Sequence, residues 1–291
     1  MNKIYSRLFD FLDIGDDYPT IIMGVLNLSP ESFYKGSVYN TLKELKKVSL
    51  KMINNGANML DLGARSTAPW SEKISIQEEI DRIVPAMEFI CKNIPKNIIV
   101  SIDTQYKEVA QKAYDVALKF NKKEIIINDV SCLKTDPGLE DFIIKKDLPI
   151  VLMASKKIPG DCLTIDEIIT EFQNTIKNLK SKGYNDDLVI LDPGIGRWID
   201  EKTPDYDLKI LNNLNQLKKL NKPILVAISR KSFIAGTLDP ENPPKPEDRY
   251  NGTLSATAIA VFNGAHIVRT HDVNKQLLEI VKIAEEIREN K

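Results

Sequence analysis

The run Leu188-Val-Ile-Leu-Asp-Pro-Gly-Ile-Gly196 limits the folds open to this chain more than any other stretch. Its apolar part is strand-length, shows no polar alternation and is rich in β-branched residues, so it fits a strand covered on both faces. Coverage on both faces implies a parallel sheet lying against helices. The run ends on Asp192, and a Pro-Gly-x-Gly turn follows at once. The C-terminal ends of such strands are where α/β proteins bind ligands.

The same device recurs along the chain. Apolar runs at Ile21–Asn27, Met59–Leu62, Ile98–Asp103, Glu124–Asp129, Pro149–Met153, Pro223–Ile228 and Ala265–Arg269 end on, or lead into, polar residues. Helical periodicity fills the spaces between them, over about residues 41–55, 76–91, 107–118, 138–145, 165–182, 206–220 and 253–262, and a last amphipathic helix closes the chain. In the first helix Leu42, Leu45, Val48 and Met52 share a face and Gly56 is the stop. Eight strand–helix units in 291 residues match a (β/α)8 barrel, typically about 250 residues long. A doubly wound sheet would predict a Gly-rich dinucleotide turn after the first strand, and none is present. The expected fold is α/β, a single TIM barrel over residues 21–291. Residues 1–20 form an N-terminal packing segment, with Tyr5, Leu8, Phe9 and Leu12 at helical spacing, and would act as a lid on one end.

Bulk properties narrow the function. A formal net charge of −1 gives no support to nucleic-acid binding or a membrane surface. No apolar run approaches the roughly 20 residues of a membrane span, and Met1 to Thr20 lacks the apolar core of a signal peptide. Cys91, Cys132 and Cys162 have no metal spacing, and their odd number suits a reducing cytoplasm. Two histidines, His266 and His271, exclude a His-rich metal site.

In a barrel the C-terminal strand ends share one mouth. Here that mouth gathers Asn27, Asp61, Asp103, Asn128, Asp192, Lys231, Arg269 and His271. Asp103, Asn128, Asp192 and Lys231 suit a flat, polar heterocycle with a guanidine-like edge, because carboxylates take paired N–H donors. One such residue could merely cap a helix, but four at strand ends argue for a site. Arg269, His271 and Ser229-Arg-Lys-Ser232 lie where barrels often bind phosphate. Arg230 is expected to point outward into the helix layer and pair there. Asn27 offers an amide oxygen that suits Mg²⁺.

Seven motifs in order resemble dihydropteroate synthases of the pterin-binding family: Met23-Gly-Val-Leu-Asn-Leu-Ser-Pro-Glu-Ser-Phe33, Asp61-Leu-Gly-Ala-Arg-Ser-Thr67, Ser101-Ile-Asp-Thr104, Ile127-Asn-Asp129, Asp192-Pro-Gly-Ile-Gly196, Ser229-Arg-Lys-Ser-Phe233 and Val268-Arg-Thr-His-Asp272. The resemblance implies a transferase of folate biosynthesis that joins 6-hydroxymethyl-7,8-dihydropterin diphosphate to p-aminobenzoate and releases pyrophosphate. It assigns the pterin to Asp103, Asn128, Met153, Asp192 and Lys231, and the diphosphate to Asn27, Arg269 and His271, with Mg²⁺ on Asn27. Arg269, His271 and Lys231 would carry the catalysis. Ser66, Thr67 and Ser232 would border the arylamine, next to Arg65 and Arg197. It also implies a homodimer through the outer helices. On this division Arg269→Ala should spare free pterin and weaken only its diphosphate.

The departures from the family pattern cluster on the amine side. Ala68 replaces an arginine, Arg65 an acidic residue, Ala154 a histidine and Glu31 an aspartate. Arg197 and Ile199 stand where an aromatic residue and a lysine are usual. Two readings of the amine stay open: p-aminobenzoate with rebuilt loops, or a bulkier arylamine carrying a phosphate, such as the ribosylated aminobenzene phosphate of methanopterin-type pathways. A pterin-dependent methyltransferase is a rival, but it has no use for the Ser-Arg-Lys-Ser and Arg-x-His-Asp pair. A non-catalytic pterin-binding protein is another.

Overall fold

The computed structural model describes residues 3–28, 42–65 and 73–290. An antiparallel hairpin, β1 (Tyr5–Phe9) and β2 (Leu12–Gly15), precedes the barrel. Then follow β3 (Ile21–Asn27), α1 (Leu42–Asn54), β4 (Met59–Gly63), α2 (Ile76–Asn93), β5 (Ile99–Asp103), α3 (Lys107–Lys119), β6 (Ile125–Asp129), α4 (Pro137–Lys146), β7 (Ile150–Met153) and α5 (Ile165–Ser181). The chain continues through β8 (Val189–Asp192), α6 (Pro204–Asn212), β9 (Leu225–Ala227), α7 (Ser232–Leu238), α8 (Tyr250–Phe262), β10 (Ile267–Thr270) and α9 (Lys275–Glu289).

Strands β3 to β10 form one parallel sheet in the order β8-β7-β6-β5-β4-β3-β10-β9. A parallel bridge between Leu191 and Ile224 brings the two ends of the sheet together, with Leu191 N–H donating to the Pro223 carbonyl at 2.9 Å. This is the expected (β/α)8 barrel. The continuous apolar runs are buried on both faces: every residue of β7 is at most 1% exposed. Register aligns the polar ends, with Asn27 opposite Gly63, Gly63 opposite Asp103, Asp103 opposite Asn128 and Met153 opposite Asp192. Helix starts follow from local chemistry. Ser75 with Glu78, and Thr164 with Glu167, make capping boxes for α2 and α5.

The N-terminal segment is a hairpin, which corrects the helical reading. Ile4, Ser6 and Leu8 are buried while Tyr5 and Arg7 are exposed, a period of two. The hairpin seals the N-terminal end of the barrel, opposite the mouth. Ser6 Oγ donates to the Asp187 carbonyl at 2.5 Å, and Asp16 accepts from Lys218 at 2.8 Å. The helix expected over 206–220 is α6 followed by a 3-10 segment, Leu214–Leu220, and α7 was not foreseen. The loop expected at Ser29–Gly36, and all but the first residues of the Gly63–Trp70 loop, lie outside the described residues. No described helix is long and apolar enough to cross a membrane.

Candidate active site

The centre of the mouth is an ion triad. Arg269 reaches across the barrel from β10, its Nε 2.6 Å from Asp61 and its Nη2 2.8 Å from Asp103. Asn128 Nδ2 donates to Asp61 at 3.2 Å. Asp61 is fully buried and joins three elements, a role the sequence left unassigned although an aspartate inside Met59-Leu-Asp-Leu62 is a visible signal. One cation faces two carboxylates here. Burial, with the charge of Asp61 adding, pushes Asp103 up to about 8 against the pull of Arg269. Burial opposes the charge of Arg269, but Asp61 and Asp103 outweigh it and hold the guanidinium above its ordinary value. Folded Asp103 therefore keeps its proton to higher pH than the unfolded chain does. Its contribution to stability falls as pH rises from 3.8 to about 8.

A second group surrounds the turn after β8. Side chains hold four backbone groups of the buried turn Pro193-Gly-Ile-Gly196. Asp192 Oδ1 accepts from Gly194 N–H at 2.8 Å, and Asp207 accepts from Gly196 N–H at 2.9 Å. Lys202 Nζ donates to the Gly194 carbonyl at 2.6 Å, and Lys231 Nζ donates to that of Ile195. Lys202 and Asp207 are fully buried and lie 3.4 Å apart. The lysine absent at position 199 thus has a buried counterpart three residues later. Burial pushes Lys231 down to about 8, opposed chiefly by Asp192, while burial raises the Asp192 carboxyl. Gly194 and Gly196 adopt φ of +73° and +123°. A Cβ on Gly196 would lie 2.8 Å from Lys231 Cδ, so the lysine stem crosses bare backbone. Met153 packs beside Gly194 at the same level.

Beyond the end of β10, His271 Nδ1 lies 3.0 Å from Ser229 Oγ. Burial and the positive charges of Arg269, Arg230 and Lys231 push this histidine down to about 3, so its imidazole is neutral. Arg230 turns outward as expected, gripping Asp272 at 2.7 and 3.0 Å and the carbonyls of Pro246 and Glu247. Asn27 closes β3 at the rim, half-buried. Ser232 opens α7 next to Lys231.

The two arginines expected beside the amine both pair with carboxylates. Arg65 binds buried Glu79 at 2.6 Å and the carbonyls of Ile74 and Ser75, and its guanidinium lies over Tyr106. Glu79 also accepts from Thr104 at 2.6 Å. Arg197 pairs with Asp200, 95% exposed, at the surface. Ser66, Thr67 and Ala68 lie outside the described residues.

The chain is similar to known proteins in sequence and fold. A family model described as "Pterin binding enzyme" matches residues 23–271. The dihydropteroate synthase of Clostridium beijerinckii is 36% identical over 272 residues, covering 93% of this chain and 94% of the relative. A dihydropteroate synthase from Coxiella burnetii, solved with pteroic acid, superposes with a TM-score of 0.84 at 31% identity, over 99% of this chain and 100% of the other. The Xanthomonas albilineans enzyme with 4-aminobenzoic acid gives 0.81 at 26% identity, over 99% of each chain.

Proposed function

This chain belongs to the pterin-binding enzyme family, in its dihydropteroate synthase branch, and from that premise we propose how its barrel mouth performs the reaction. The nitrogen of p-aminobenzoate attacks the pterin methylene, the C–O bond to the diphosphate breaks, pyrophosphate leaves, and the amine proton passes to solvent. The observation that carries this reading is the convergence of Asp61, Asp103, Asn128, Asp192, Lys231 and Arg269 at one level of the barrel.

Asp103 and Asp192 accept N–H groups of the pterin, Asn128 and Lys231 complete its polar edge, and Met153 supplies an apolar contact. Arg269 and neutral His271 donate to the diphosphate and stabilise the charge that grows as it leaves. Asn27 offers the rim one hard oxygen. No group of three or more His, Cys, Asp or Glu side chains among the described residues could cage a metal. That donor set fits Mg²⁺, which is commonly bound through one or two protein ligands plus substrate phosphates. Bound there, the ion would neutralise charge on the leaving group. An arylamine is already nucleophilic, so no Ser–His or Cys–His pair is needed. Because Arg65 is already committed to buried Glu79, the geometry favours plain p-aminobenzoate over a phosphorylated amine.

The test is pyrophosphate release from the pterin diphosphate with Mg²⁺. Release that requires p-aminobenzoate supports the reading. Binding of the diphosphate without release, or release only with a phosphorylated arylamine, overturns it. Above about pH 8, where Asp103 is ionised, Asp103→Asn should weaken pterin binding by roughly 1.5–3 kcal/mol, the size of a charge-assisted bond. The same change should raise the melting temperature at pH 8, since it removes one of two like charges facing Arg269. A lower melting temperature would mark Asp103 as a structural ion partner only.

The exposed faces of α8 and α9 carry Leu254, Ile259, Phe262, Ile280, Ile283 and Ile287 as one apolar groove. With Ile259 48% and Ile283 61% exposed, we assign this face to a second copy of the chain. A monomer by sedimentation at micromolar concentration would remove that assignment. Three free thiols suit the cytoplasm as the working compartment.

A further inference from the structure

Trp198 stands in the segment that separates the Pro-Gly-Ile-Gly turn from Lys202. Its indole is pressed onto Gly160, in the loop after β7. A Cβ at Gly160 would lie 2.2 Å from Trp198 Cγ, and Gly160 has φ of +70°, so only glycine admits the ring at this depth. The platform itself is rigid. Asp161 accepts from the N–H groups of Lys156 at 2.6 Å, Lys157 at 2.9 Å and Ile158 at 3.3 Å, and Ser155 bridges to Pro159. The indole also meets Lys231, whose Nζ lies 5.2 Å from the ring centroid.

Lys231 is thus confined at three points: its stem crosses Gly196, and its ammonium sits between the Ile195 carbonyl and the Trp198 ring. A free lysine head samples many rotamers on a four-carbon stem, and a ligand that needs it in one place must select that rotamer. We propose that Trp198 is a positioning residue for Lys231, its indole face holding the ammonium aimed at the pterin before the substrate arrives. This deepens the reading above and rests on it, because the benefit appears as pterin affinity only if Lys231 touches the pterin. It also gives the altered loop a purpose. The aromatic residue missing at 197 is present at 198, turned toward the lysine.

Trp198→Leu keeps an apolar side chain but removes the ring. It should raise KM for the pterin diphosphate about tenfold, the size of a partly desolvated cation–π contact, with kcat within threefold of the parent. The alkaline limb of kcat/KM should move to lower pH, because the ammonium loses a stabilising neighbour. Trp198→Phe should recover both to within threefold. Trp198→Leu with parental KM and pH profile overturns the proposal, and so does Trp198→Phe no better than Trp198→Leu. Should Trp198→Leu fail to fold, fluorinated tryptophans in a Trp70→Phe background decide the matter. The chain has two tryptophans, and fluorination drains the ring face while nearly preserving its shape. Pterin affinity, read by calorimetry, should fall stepwise with fluorine number, and a flat series overturns the proposal. Parental p-aminobenzoate-dependent turnover judges the underlying reading separately.

Discussion

Arg269→Ala is expected to lower kcat/KM for the pterin diphosphate by roughly a thousandfold, about 4 kcal/mol on the scale of a broken buried ion pair. The sequence alone divides the mouth into a pterin half and a diphosphate half, and predicts that this substitution spares free pterin. The geometry joins the halves. The guanidinium proposed for the diphosphate is also the partner of Asp61 at 2.6 Å and Asp103 at 2.8 Å. Its removal leaves two buried carboxylates without their cation. Asp103, already pushed up to about 8 by burial and Asp61, then holds its proton higher still, so above pH 8 it presents a donor where the proposed pterin contact needs an acceptor. Free pterin and its diphosphate should therefore both bind more weakly in calorimetry. The sign of the stability change is also fixed. The missing cation matters most when both carboxyls are ionised, so the melting-temperature gap to the parent should narrow as pH falls from 8 to 5. Parental affinity for free pterin in Arg269→Ala would restore the divided mouth.

Lys202→Met should produce the largest loss of stability. Its ammonium is fully buried, sits 3.4 Å from fully buried Asp207 and caps the Gly194 carbonyl. Burial pushes the lysine down and the aspartate up, so each tolerates its charge only because of the other. Breaking such a pair costs about 3–5 kcal/mol, which in a chain of this size lowers the melting temperature by on the order of 10 °C. Lys202→Met with Asp207→Asn should recover most of that loss, because the amide oxygen still accepts from Gly196 while no charge stays buried. A single variant that melts within 2 °C of the parent would show that the pair does not hold the turn.

The barrel was legible because its logic is local. Strands covered on both faces must be apolar throughout, so each ends abruptly where the mouth begins, and Asp103, Asn128 and Asp192 mark those points in the sequence. The outward turn of Arg230 was also readable, since a strand-end tetrapeptide cannot send every side chain inward. What escaped was pairing across distance. Nothing near Arg269 in the sequence names Asp61, 208 residues away. Nothing near Arg65 says that Glu79 waits on α2. The hairpin was misread because four apolar residues at helical spacing in a dozen are compatible with period two once Ile4 and Ser6 are counted. Lys202 and Trp198 were missed because position-by-position comparison looks for a lysine at 199. The buried charge is supplied three residues further along, by Lys202.

The uneven triad has a consequence for how the enzyme meets its substrate. One guanidinium between two carboxylates leaves a proton undecided near neutral pH, with Asp103 and Lys231 both set at about 8. On the proposed contact, a pterin that brought its own N–H donors to Asp103 would complete the neutralisation that Arg269 began, and the undecided proton would no longer have a reason to stay. Docking would then also be an exchange with the surrounding buffer, and an apparent affinity measured at one pH would belong to that pH alone.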